Sequence, residues 1–273
     1  MRLAFLSPAK VNLDLLVLGK REDGYHEIET ILQTVALYDR IFLELGQSGI
    51  NLVVPDMLPA GAGNLCYEAA AAFYGATGIS PALTVYLEKN IPIEAGLGGG
   101  SSNAAVVLHG LNVLYGFPLD EADLVSIAAH IGSDVPFFLR GGTARATGRG
   151  ETIIPLPDAP CRWLRIVKPP FGLSTKEVYQ RWIPTAGFKR PPRHNDLEQV
   201  ALGLYPQLGM VRASLLGDGA IDVMLCGSGS AMCGFYHSRP VAMLSLPAGY
   251  REYIVPTLTS TECLVNFRGE RKP

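Results

Sequence analysis

The most constraining stretch of this chain is a run of glycines set directly before a row of helix formers. Residues 92–105 read PIEAGLGGGSSNAA. Gly96, Gly98, Gly99 and Gly100 permit positive φ and a close approach of backbone to a ligand. Ser101, Ser102 and Asn103 are favourable helix N-caps, and good helix formers follow them. The stretch therefore brings free amides and a helix N-terminus to one point, which suits a nucleotide phosphate. Spacing excludes the commoner phosphate loops. A dinucleotide-binding G-x-G-x-x-G needs glycine at position 101 or 103, where Ser101 and Asn103 stand. A Walker A Gly-Lys-Ser/Thr and a G-x-S-x-G nucleophile elbow are both absent.

The 273 residues carry 23 Lys+Arg against 25 Asp+Glu, a net charge of −2, and 48% are hydrophobic. That balance gives ample material for a core and argues against a disordered chain or a nucleic-acid binder. The length fits one large domain or two small ones. No apolar run approaches the roughly 18 residues of a membrane span. The apolar residues before Ser7 are too few for the core of a signal peptide. The cysteines, Cys66, Cys161, Cys226, Cys233 and Cys263, are odd in number and scattered, as expected of reduced, mostly buried thiols. The expectation is a cytoplasmic protein with a small-molecule substrate and no nucleic-acid or membrane partner; oligomeric state is left open.

Alternation and turn signals predict strands over 11–19, 41–45, 50–54, 83–88, 143–147, 152–156, 163–167 and 221–226. Helices are expected over 64–77, capped by Asn64 and stopped by Gly78, and over 102–115, 118–132, 174–182 and 196–204. Pro155, Pro157 and Pro160 mark a domain boundary, since they cannot sit together inside a helix or central strand. The interval 185–194, rich in Pro and basic residues, reads as an exposed loop. Strands and helices mix without regular βαβ alternation, so the fold class is α+β.

Three segments, in this order, resemble the GHMP kinase superfamily: PAKVNLDLLVLGKREDGYHEIETI from Pro8, the glycine loop, and CGSGSAMCGF from Cys226. Pro-Ala-Lys-x-Asn-Leu with Asp-Gly-Tyr-His, and Gly-Ser-Asp-Val-Pro-Phe-Phe at 132–138, resemble the branch that phosphorylates 4-diphosphocytidyl-2-C-methyl-D-erythritol. The resemblance covers essentially the whole chain. It implies a two-lobed fold, a ribosomal-protein-S5-like lobe over 1–156 and a ferredoxin-like lobe over 157–273, with the active site between them. It also implies transfer of phosphate from ATP, with Mg²⁺, to the 2-hydroxyl of that substrate in non-mevalonate isoprenoid synthesis.

The resemblance further implies roles. Asp134 matches a base that takes the hydroxyl proton. Lys10 matches its electrostatic partner, and Asn12, two residues on, shares its strand face. Tyr25 and His26 match a cytidine-binding pair; Thr175 and Tyr179 match a substrate-contacting threonine and a second stacking aromatic. Gly227 and Ser228 close the cleft beside the acceptor. The ATP site comprises Pro92, Ile93, Glu94, Ala95, Gly96, Leu97, Gly98, Gly99, Gly100, Ser101 and Ser102, with Asn64 nearby, and Ser102 is a hydroxyl for Mg²⁺. Two alternatives stand beside this reading: a superfamily kinase for homoserine, mevalonate or a sugar, and a non-catalytic binding protein of the same fold. Homoserine, mevalonate and sugars carry no cytidine to explain the aromatics. A non-catalytic protein would be expected to have lost Lys10, Asp134 or the loop.

Overall fold

The computed structural model describes residues 2–184, 193–266 and 270–271. Its first half is built on a long antiparallel hairpin, β1 (Arg2–Lys20) and β2 (His26–Leu45). Beta-bulges interrupt the pairing at Pro8/Ala9, Asn12/Asp14 and Val17/Gly19. Bulges re-aim side chains, and two of these flank the segment from Lys10 to Asn12. Next come β3 (Gly49–Val53), α1 (Leu65–Thr77), β4 (Ala82–Glu88), α2 (Gly99–Leu114), α3 (Glu121–Ile131) and the single turn α4 (Val135–Phe138). Strands β5 (Thr143–Gly148) and β6 (Thr152–Pro155) complete the half.

The second half holds β7 (Trp163–Lys168), α5 (Thr175–Arg181), α6 (Glu198–Leu204), α7 (Gln207–Gly217), β8 (Asp222–Leu225), β9 (Met232–Tyr236) and β10 (Arg251–Pro256). The chain ends in α8 (Ser260–Asn266) and the two-residue β11 (Glu270–Arg271). Two sheets result. The larger has the order β11-β1-β2-β4-β3, with β5 on β2 and β6 on β5. The smaller, β10-β7-β9-β8, is antiparallel throughout. That order is the one a ferredoxin-like β-α-β-β-α-β unit takes, but the connection from β9 to β10 contains no helix.

The proline run joins β6 to β7 between the sheets. The division at 156/157 is crossed once more, because β11 returns to pair with β1. The loop expected over 185–194 falls mostly on 185–192, outside the described residues. The expected strand at 11–19 covers only the second part of β1, and β3 pairs with β4 in parallel.

Alpha-2 is the axis of the first half. It is buried on nearly all sides, packing on β1 and β2 and against α1, α3 and α4. Phe73, Phe137 and Phe138 fill the space around it and are fully buried. A second core draws Ala9, Val35, Ile91 and Leu97 from the first half and Leu164, Ile166 and Phe235 from the second. This shared core holds the glycine loop in register with the smaller sheet. Among the described residues no helix is long and apolar enough to cross a membrane. Four of the cysteines are buried, Cys161 is exposed, and all are free.

Candidate active site

The glycine loop runs from β4 into α2, and tertiary contacts fix its shape. Gly98 is the N-cap of α2, with φ of 68°. The helix thus starts at Gly99, three residues before the predicted start, and Ser101, Ser102 and Asn103 lie inside its first turns. A Cβ on Gly98 would lie 2.9 Å from the Phe138 ring and 3.0 Å from Lys10 Cγ. A Cβ on Gly96 would lie 1.8 Å from the carbonyl oxygen of Cys226. Gly96 is therefore glycine for a reason the sequence does not show: it lets the 226–231 turn press on the loop. Ser230 N donates to Glu94 O at 3.2 Å and Ala231 N to Ala95 O at 3.3 Å. The first amides of α2 have no partner within the helix, so they and the helix dipole can receive an anion.

A buried polar network underlies this end of the helix. Asp39 is fully buried. It accepts from Lys89 Nζ at 2.7 Å, Asn103 Nδ2 at 3.0 Å and the backbone amides of Asn90 and Ile91. Burial lowers the Lys89 pKa from its ordinary value, and the Asp39 charge opposes that. Asn103 also donates to Ser7 Oγ at 2.9 Å, and Ser7 Oγ donates to Ser102 Oγ at 2.7 Å. Ser102 is fully buried. Its hydroxyl accepts within this network, and Ser102 borders neither of the cavities described below. Ser101, one residue earlier, borders both cavities described below.

Lys10 and Asp134 come together across the cleft, with Lys10 Nζ 3.6 Å from Asp134 Oδ2. The Lys10 side chain is 6% exposed and that of Asp134 33%, so the carboxylate is the accessible member. Lys10 N donates to Leu97 O at 2.9 Å, tying β1 to the glycine loop. Asn12 Oδ1 accepts from Lys10 Nζ at 3.1 Å and from Gly227 N at 3.0 Å. Lys10 and Asn12 do share a face, as their two-residue spacing requires.

Two cavities meet here. The larger, about 760 Å³, is bordered by Lys10, Asn12, Asp134, Thr175, Gly227 and Ser228, and by Tyr25, His26 and Tyr179 at its far end. The smaller, about 320 Å³, is bordered by Asn64 and by residues 92–101. Gly96, Gly98 and Ser101 border both. Asn64 uses its side chain structurally, accepting from Cys66 N at 3.0 Å as the cap of α1 and donating to Pro59 O at 2.8 Å. The aromatic end is formed by the His26 and Tyr179 rings, 5.2 Å apart and tilted by 33°. Tyr25 stands on the rim, 57% exposed. Thr175 Oγ1 and Ser228 Oγ are 2.8 Å apart.

The sequence reading missed Lys89, Arg149 and Trp182. Lys89 borders the smaller cavity beside Gly99; its signal was a cation placed just before the loop. The Arg149 guanidinium lies 5.0 Å from the Tyr25 ring centroid. Trp182 meets His26 edge-on at 6.0 Å. These last two contacts join distant segments and leave no local signal.

The family pattern described as GHMP kinases N terminal domain matches residues 64–142. The 4-diphosphocytidyl-2-C-methyl-D-erythritol kinase of Syntrophotalea carbinolica is 40% identical, over 92% of this chain and 98% of its own. That of Persephonella marina is 42% identical, over 84% of this chain and 89% of its own. The chain belongs to the 4-diphosphocytidyl-2-C-methyl-D-erythritol kinase family. A crystal structure of a kinase of this family superposes with a TM-score of 0.80 at 35% identity, covering 93% of this chain and 98% of that one. Homoserine kinase from Cytophaga hutchinsonii gives 0.73 at 17% identity, covering 94% and 95%, a likeness of fold alone. The α+β, two-lobed GHMP kinase architecture expected from the sequence is the one observed.

Proposed function

We propose that this protein transfers the γ-phosphoryl group of ATP to the 2-hydroxyl of 4-diphosphocytidyl-2-C-methyl-D-erythritol. The observation that carries this reading is the meeting of two cavities at Gly96, Gly98 and Ser101, with the Lys10–Asp134 pair at the junction. ATP occupies the smaller cavity, its phosphates on the free amides at the start of α2. The acceptor occupies the larger one, its cytosine among Tyr25, His26 and Tyr179. Its 2-hydroxyl then lies at Asp134, which takes the proton as the phosphoryl group arrives. Lys10 stabilises the charge spread over the transferring group.

The resemblance implies Mg²⁺. Among the described residues no three His, Cys, Asp or Glu side chains could hold a metal by themselves. The oxygens at the junction, the Asp134 carboxylate and the Ser101 hydroxyl, are hard donors of the kind Mg²⁺ accepts when nucleotide phosphates supply the remaining ligands. They fit an ion carried in on ATP, where its chemistry is to neutralise charge on the phosphates.

The test measures ADP release from Mg-ATP with 4-diphosphocytidyl-2-C-methyl-D-erythritol, homoserine and mevalonate as acceptors. Turnover is expected with the first alone. Asp134→Asn should lower kcat by about 10²–10⁴ while ATP binding is kept. Turnover with another acceptor only overturns the cytidine reading, and near-normal turnover by Asp134→Asn overturns its role as base.

A further inference from the structure

Residues 194–196 lie outside every motif considered above, yet they bind both sides of the site. Leu15 N donates to His194 O at 2.7 Å, and Asp196 N returns a bond to Leu15 O at 3.0 Å. The Asp196 carboxylate accepts from Val17 N at 2.8 Å and from the His194 ring at 2.7 Å. The segment is thereby bridged to β1, just beyond Asn12.

Between these anchors sits Asn195, 2% exposed. Its Nδ2 donates to Leu225 O at 2.9 Å and to Gly227 O at 2.7 Å, and its Oδ1 accepts from Leu197 N at 2.9 Å. Gly227 in turn donates its N–H to Asn12 Oδ1, the atom that also receives Lys10 Nζ. The bonds close a ring: Asn12 to Gly227, Gly227 to Asn195, Asn195 through its chain neighbours His194 and Asp196 to Leu15, and Leu15 along β1 to Asn12. Gly227 lies against the reacting end of Lys10, since a Cβ there would be 3.3 Å from Nζ.

We propose that Asn195 is a positioning residue for phosphoryl transfer. It sets the 225–228 turn against β1 and so holds Asn12 and Lys10 in place beside Asp134. This rests on the roles proposed above for Lys10 and Asp134. A side-chain amide suits the task because one NH₂ group offers two donors, here given to two carbonyls at the two ends of the turn. An aliphatic replacement leaves both carbonyls buried without partners.

The experiment compares Asn195→Ala with Glu198→Ala. Glu198 also supports β8, accepting from Leu225 N at 2.8 Å, but it does not reach Gly227. Asn195→Ala is expected to lower kcat about ten- to a hundredfold, the scale of a small misplacement of reacting groups. KM for both substrates should change little, and Glu198→Ala should keep kcat near wild type. An unchanged kcat in Asn195→Ala, or an equal loss in Glu198→Ala, overturns the proposal. Native-state hydrogen exchange of the wild-type protein tests the tether without any variant. The amides of Leu15, Val17 and Gly227 should open together with one free energy; independent opening overturns the tether, including where Asn195→Ala does not fold. If wild type fails to phosphorylate the cytidine substrate, the functional reading falls by itself, and the exchange result still decides the ring.

Discussion

His26 meets the rings of Tyr179 and Trp182, with Lys20 as the nearby charge. Burial lowers its pKa below the ordinary value of about 6.5, and the Lys20 charge lowers it further. Above the ordinary value the ring is neutral in both folded and unfolded chains. As pH falls, the unfolded chain takes up the proton first, so stability is lost as pH drops through the folded value. In the function proposed for this site the neutral ring meets the cytosine edge, because only the neutral form offers both a donor and an acceptor. Inhibition by cytidine should therefore be constant from pH 8 down past the ordinary value of about 6.5 and weaken only as pH falls through the lowered value of the folded ring, and His26→Gln should flatten the profile. Inhibition that strengthens toward acid would make imidazolium the binding form and reverse this reading.

The glycine loop is an element whose positions are unequal. Gly96 has φ of 72° and presses on Cys226 O. Gly100 lies in the first turn of α2, where an added Cβ would meet only Leu65, at 3.6 Å. Gly96→Ala carries about 1–2 kcal/mol of left-handed strain before its collision with backbone is counted. Gly100→Ala gains helix propensity of about 0.5–1 kcal/mol. Denaturant unfolding of the ligand-free protein should thus show a clear loss for Gly96→Ala and none for Gly100→Ala. Equal effects would mean that the contact between the two loops does not shape this element.

Across the whole molecule, the shared core argues for one cooperative unit. Ile91 and Leu97 pack with Leu164, Ile166 and Phe235, so separating the halves would expose fully or nearly fully buried side chains from both. Scanning calorimetry should give a single transition with equal calorimetric and van't Hoff enthalpies. Two resolved transitions would show that the halves unfold separately.

What the sequence settled by itself was mostly short-range. Asn64 caps its helix as expected, and Asp120 and Ser174 cap theirs in the same way, through bonds to amides two or three residues on. Such bonds need only local backbone geometry, so residue type and spacing suffice to read them. The glycine loop and the shared face of Lys10 and Asn12 are local in the same sense. The pairing of Lys10 with Asp134, by contrast, joins residues far apart in the chain, and only the motif resemblance brought them together before the structure did. Tertiary structure alone decided the rest. The fully buried Ser7 and Asp39 drew the Ser102 side chain inward, because a buried hydroxyl needs a partner. Gly96 answers to a carbonyl 130 residues later, at Cys226. Asn195 gained its two acceptors only when the 194–196 segment was set between β1 and the end of β8. Each of these depends on which distant groups share a buried space, and that is fixed only when the elements pack.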